Sequence, residues 1–158
     1  MKYSRFEELP VWQDAIELAV RVVELTARPA FRRYPSVRDQ LERASMSISN
    51  NIAEGFERGT TLEPTFLYIS RGSAGETRPV LCLCERLPGP ADLKSEISDL
   101  KSRGESISRQ LRAWSASLQD SDIRGQRYLT SKTKIKTKEA REREEFLREL
   151  DEVRNRKS

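Results

Sequence analysis

The chain has 158 residues, of which 34% are charged and 36% hydrophobic; 29 Lys+Arg against 25 Asp+Glu leave a net charge of +4. That length holds one domain of about 100–150 residues and a polar appendage. The absence of histidine excludes His-based triads, His-containing zinc sites and the usual general base near neutral pH, so the chain reads as non-enzymatic.

The N-terminal Met1-Lys2-Tyr3-Ser4-Arg5 has no apolar run of the signal-peptide kind, and no stretch approaches the ~18 apolar residues that span a bilayer. The expectation is a cytoplasmic protein without a membrane partner. A first helix should begin near Pro10, which fits the first turn because its missing N–H has no intrahelical partner there. Trp12, Ile16, Ala19 and Val23 make one apolar stripe and Ala15, Leu18, Val22 and Leu25 its neighbour, a wide face suited to a bundle. Pro29 closes this helix, and Ser36 is expected to cap a second one, with Val37, Leu41, Ala44, Ile48 and Ile52 at helical spacing until Gly55 terminates it.

A third helix is expected from about Thr61 to Leu87, carrying Pro64 in its first turn and kinked at Pro79. Cys82 and Cys84 fall in this run; two apart on a helix and without a second pair, they read as small buried hydrophobes rather than a metal site. No cofactor is implied. Pro88-Gly89-Pro90 breaks the chain, and Asp92 should cap a fourth helix. There Leu93, Ile97, Leu100, Gly104, Ile107, Leu111, Trp114 and Leu118 repeat every seven residues, the pattern of shallow-angle helix packing. Residues 1–118 therefore predict an all-α, antiparallel up-down-up-down four-helix bundle.

Residues 119–158 form a second segment. A basic linker carries Arg124, Arg127, Lys132, Lys134, Lys136 and Lys138 without an acid among residues 123–138. A charged amphipathic helix is expected over 139–157, with Phe146, Leu150 and Val153 as a thin stripe for a protein partner or a sister subunit. The two segments differ in charge: 17 basic and 16 acidic residues in 1–118 against 12 and 9 in 119–158. Any footprint for nucleic acid on the bundle is thus local. The candidate is the end carrying Arg28, Arg32, Arg33 and Arg38, joined by Arg86 and Lys94 if the third connector lies beside the first; the basic linker is a second candidate.

The second helix also carries a polar stripe, Gln40, Arg43, Ser47, Asn51 and Glu54, that shares one face. With Ser73 and Glu76 of the third helix it reads as a structural polar network fixing helix register. The competing reading is a site built on Glu54 and Glu76 as paired carboxylates, with Arg43 and Asn51 orienting a ligand. It lacks a nucleophile and any metal-ligand spacing.

Gln40-Leu41-Glu42-Arg43-Ala44, then Ser47-Ile48-Ser49-Asn50-Asn51-Ile52-Ala53-Glu54-Gly55 and Arg58, resemble the central signature of the four-helix-bundle proteins encoded in 23S rRNA intervening sequences. Phe66-Leu67, Gly72-Ser73 and Glu76 resemble its continuation, and Phe6-Glu7-Glu8-Leu9-Pro10-Val11-Trp12-Gln13-Asp14-Ala15 is similar to its start. The resemblance implies a bundle that assembles as a homo-oligomeric ring, commonly a pentamer. It also implies distant kinship with the accessory protein of diversity-generating retroelements, which binds a reverse transcriptase and nucleic acid. The function expected is a ring-forming adaptor on structured RNA or a ribonucleoprotein, in a reverse-transcriptase accessory role or otherwise. The alternative is a protein-interaction scaffold that binds no nucleic acid directly.

Overall fold

A computed structural model describes residues 3–58 and 63–120. They form four α-helices and no strand: α1 (Pro10–Thr26), α2 (Pro35–Arg58), α3 (Glu63–Cys84) and α4 (Lys94–Asp120), with short 3-10 turns at Phe6–Glu8, Pro29–Phe31 and Pro90–Leu93. Each helix packs on two others, α1 and α3 both on α2 and α4. Asp14 meets Gln110, Arg21 meets Asp99 and Arg28 meets Glu96. Partner numbers fall as α1 numbers rise, so α1 and α4 run in opposite directions. Arg78–Glu105 and Glu85–Lys101 set α3 against α4 in the same sense.

The core is drawn from every helix. Leu18, Val22, Leu25, Leu41, Ile48, Ile52, Leu67, Leu81, Ile97, Ile107 and Leu111 are all but completely buried. Burial of this kind contributes about 1.5–3 kcal/mol per large aliphatic side chain. The apolar face of α1 is wider than the core it meets. Ala15, Leu18, Val22 and Leu25 are buried, whereas Ile16, Val20 and Val23, at helical spacing, are 38%, 48% and 45% exposed.

Small polar side chains lie among the apolar ones where α2 and α3 meet. Ser47 and Ser73 share a hydrogen bond of 2.9 Å, Ser70 donates to the Ile48 carbonyl at 2.9 Å, and Thr77 donates to the Ser73 carbonyl. Each buried hydroxyl is thereby paired, as it must be away from water. Ser115 is the exception among the described residues, its Oγ buried without a hydrogen-bond partner. Ser115→Ala removes that unsatisfied group and is expected to raise stability by about 1 kcal/mol, read as a higher urea midpoint at unchanged slope.

Helix ends differ from their sequence expectations. α2 begins at Pro35, a residue whose fixed φ suits the first helical position, so Ser36 lies inside the first turn and does not cap. It also runs through Gly55 to Arg58. Gly55 is buried, and the extra turn is supported by Arg58, which pairs with Glu54 at 2.6 Å and stands over the Phe66 ring at 5.2 Å. α3 ends at Cys84 rather than Leu87, and Asp92 lies in the 3-10 turn that precedes α4. Pro79 lies within α3. It leaves the Gly75 carbonyl without its helical donor, but both residues are exposed, so water can satisfy that oxygen. Cys84 is a free, fully buried thiol, and burial pushes its pKa up to about 11.

Candidate nucleic-acid interface

Two connectors meet at one end of the bundle. The first, residues 27–34, is anchored by Phe31, whose side chain is fully buried. The second, residues 85–93, turns at Gly89, where a φ of 91° favours a residue without Cβ. The Tyr34 hydroxyl donates to the Pro88 carbonyl at 3.0 Å. Ala30 backbone oxygen lies 3.5 Å from where a Gly89 Cβ would be. The two connectors are therefore in direct contact, and Arg28, Arg32, Arg33, Arg38, Arg86 and Lys94 belong to the same end.

Those six cations are not equivalent. Arg28 reaches Glu96 at 3.3 Å, and Arg38 lies 3.9 Å from Glu42, whose carboxylate also accepts from Thr26. Arg32, Arg33, Arg86 and Lys94 are exposed and form no ion pair or side-chain hydrogen bond. Among the acids nearby, Asp39 is engaged by Arg43 and Glu85 by Lys101, while Glu24 and Asp92 form no ion pair. Hydrogen bonding to Glu85 holds Lys101 above its ordinary pKa. Two helices begin at this end and two finish there, so their dipoles oppose one another and the local field comes from the side chains.

The polar stripe of α2 divides into separate parts. Ser47, Asn51 and Ser73 form a hydrogen-bonded cluster at the α2–α3 contact, with Asn51 donating to the Ser47 carbonyl at 2.7 Å and to its hydroxyl at 2.9 Å. Gln40 accepts from Arg43 at 3.2 Å, and Arg43 is exposed. Glu54 is exposed and engaged by Arg58; Glu76 is exposed and unpaired. The expected single network thus reduces to the Ser47–Asn51–Ser73 cluster. Nor do the two carboxylates meet. From the Ser47–Ser73 contact, Glu54 lies seven residues toward one end and Glu76 three toward the other, about 15 Å apart along the axis.

Arg124, Arg127, Lys132, Lys134, Lys136 and Lys138 of the expected basic linker, and the stripe Phe146, Leu150 and Val153, lie outside the described residues. Sequence reasoning passed over other cations. Arg71 and Arg78 on α3 and Arg109 and Arg112 on α4 are exposed along the seam between these helices. Their advance signals are the seven-residue spacing of Arg71 and Arg78 and the three-residue spacing of Arg109 and Arg112, each of which puts a pair on one helix flank. At the opposite end of the bundle from the connectors, an apolar cleft of about 310 Å³ is lined by Tyr3, Leu9, Val11, Phe56, Trp114 and Leu118.

The described chain is thus an all-helical four-helix protein with an unpaired cationic cluster on joined connectors. Residues 7–113 match the model of the 23S rRNA-intervening sequence protein family, and the chain belongs to that family. A search of curated proteins returns no significant match.

Proposed function

We propose that this protein is a non-enzymatic adaptor that associates with structured RNA or a ribonucleoprotein through the connector end of its bundle. The observation that carries the reading is the set of unpaired cations, Arg32, Arg33 and Arg86 on two connectors locked together by Tyr34 and Gly89, with Lys94 at the start of α4 beside them. Membership of a family named for intervening sequences of 23S rRNA supports an RNA association. Contacts of this kind neutralise phosphates, so binding is backbone-directed, weakly selective for sequence and strongly salt-dependent. An electrophoretic titration with a structured RNA, at low and at physiological salt, is expected to show tight binding that weakens steeply as salt rises. Absence of binding even at low salt defeats the adaptor reading and leaves the interaction scaffold.

The adaptor works as a ring of copies, with five the number the family resemblance implies. Support comes from two separate exposed apolar faces. Ile16, Val20 and Val23 lie on α1, and Ile69 and Leu83, each about half exposed, lie on α3. Two different faces meeting head to tail make a heterologous contact, which closes into a ring where the rotation allows. Native mass measurement is expected to give a multiple of the chain mass, and Val20→Glu to give monomer with unchanged helicity. A monomeric native chain at micromolar concentration rules the ring out.

A further inference from the structure

Arg71 and Arg78 on α3 are seven residues apart, and Arg86, past the end of α3, is eight further on. At 1.5 Å per residue, they mark out a line of about 22 Å. α4 mirrors it from the other side of the seam with Lys94, Lys101, Arg109 and Arg112. The register is fixed by Arg78, which lies 3.8 Å from Glu105 and whose Cγ is 3.5 Å from the position of a Gly104 Cβ. Because α3 and α4 run in opposite directions, Arg71 is brought level with Arg112. Two acids interrupt the row: Glu105, shared between Arg78 and Arg109, and Glu85, held by Lys101. Arg71, Arg86 and Arg112 form no ion pair. Arg71 stands 5.9 Å from the ring centre of Tyr68, which is itself 47% exposed. The row runs into the connector end through Arg86 and Lys94.

We propose that an RNA strand lies lengthwise along the α3–α4 seam, held by Arg71, Arg78, Arg86 and Arg112, and ends at the connector cations; this rests on the RNA-adaptor reading above. Guanidinium forks engage phosphate oxygens in pairs of hydrogen bonds, which suits a row of arginines to a phosphate backbone. At the far end of the row the Arg71 guanidinium lies over the half-exposed Tyr68 ring, a cation–aromatic pair against which a base packs. The seam thereby converts a point contact at the bundle end into a footprint about 22 Å long.

The full chain carrying Arg71→Gln, Arg78→Gln and Arg112→Gln together tests this, by fluorescence anisotropy with a labelled RNA hairpin across a salt series. Affinity is expected to fall roughly ten-fold or more at physiological salt, with the slope of log K against log salt shallower by about 2. Circular dichroism and native mass establish that the variant is folded and assembled as the parent. A second measurement needs no variant: photo-crosslinking of thiouridine-substituted RNA to the native chain is expected to label the peptide containing Tyr68 and Arg71. Unchanged affinity and slope, with crosslinks confined to the connectors, overturn the seam while leaving the adaptor reading in place. Failure of the native chain to bind the hairpin at low salt overturns both.

Discussion

Phe31→Ala is expected to destabilise the bundle by about 3–5 kcal/mol, the range for removing a fully buried aromatic side chain. Phe31 is not on one of the four helices. It belongs to the short 3-10 turn of the first connector, yet its ring is fully buried and packs in the main core cluster. Its backbone is held from both sides, by Phe31 N–H to the Arg28 carbonyl and by Tyr34 N–H to the Phe31 carbonyl. Losing the ring therefore creates a cavity and also frees the segment that carries Arg32 and Arg33. Urea denaturation reads the first effect. RNA affinity, measured where the variant is still folded, is expected to fall although no cation has been removed. Arg33→Ala, an exposed change nearby, should shift stability by no more than about 0.5 kcal/mol. A Phe31→Ala midpoint equal to that of the parent would show that this turn does not anchor the end.

The joint variant Arg32→Gln, Arg33→Gln, Arg86→Gln and Lys94→Gln is expected to lose about two orders of magnitude in RNA affinity at physiological salt. Its salt slope should be shallower by about 3, since each phosphate contact contributes roughly 0.7–0.9. The four side chains are exposed and unpaired, so thermal stability should stay near that of the parent. Arg28→Gln provides the contrast. Arg28 is already bound to Glu96, and its loss exposes a carboxylate at the edge of the cluster. A weaker effect on affinity is expected, accompanied by a small change in stability because the pair is solvent-exposed. Retention of full affinity by the joint variant would move the RNA contact away from the connectors.

The helices were legible because apolar residues recur at helical spacing: Ala15, Leu18, Val22 and Leu25 point into the core as their period requires. Helix boundaries were less legible, because they depend on competition between neighbouring residues. Ser36 and Asp92 are good caps, but Pro35 starts α2 first and the Pro90–Leu93 turn absorbs Asp92. Gly55 has the composition of a terminator, yet packing against the core keeps it helical. The cationic end was visible because four arginines crowd one stretch, residues 28–38. Which of them are free was not visible, because the Arg28–Glu96 pair joins residues 68 positions apart. Glu54 and Glu76 illustrate the same limit. Each has a suitable face on its own helix, but their separation depends on the register between helices. Arg71, Arg78, Arg109 and Arg112 were scattered in sequence and become a row only when α3 lies against α4.

The Tyr34–Pro88 hydrogen bond and the close approach of Gly89 to Ala30 also bear on the time course of binding. Connectors ordered by folding leave little conformational search after encounter, so a polyanion meets its cations nearly in place. On the adaptor reading, association is then expected to be limited by diffusion and steered by charge, so that added salt chiefly slows arrival. Loosening the clasp with Tyr34→Phe leaves every cation present. The expected signature is a slower productive encounter whose salt dependence stays that of the parent, which separates loss of order from loss of charge.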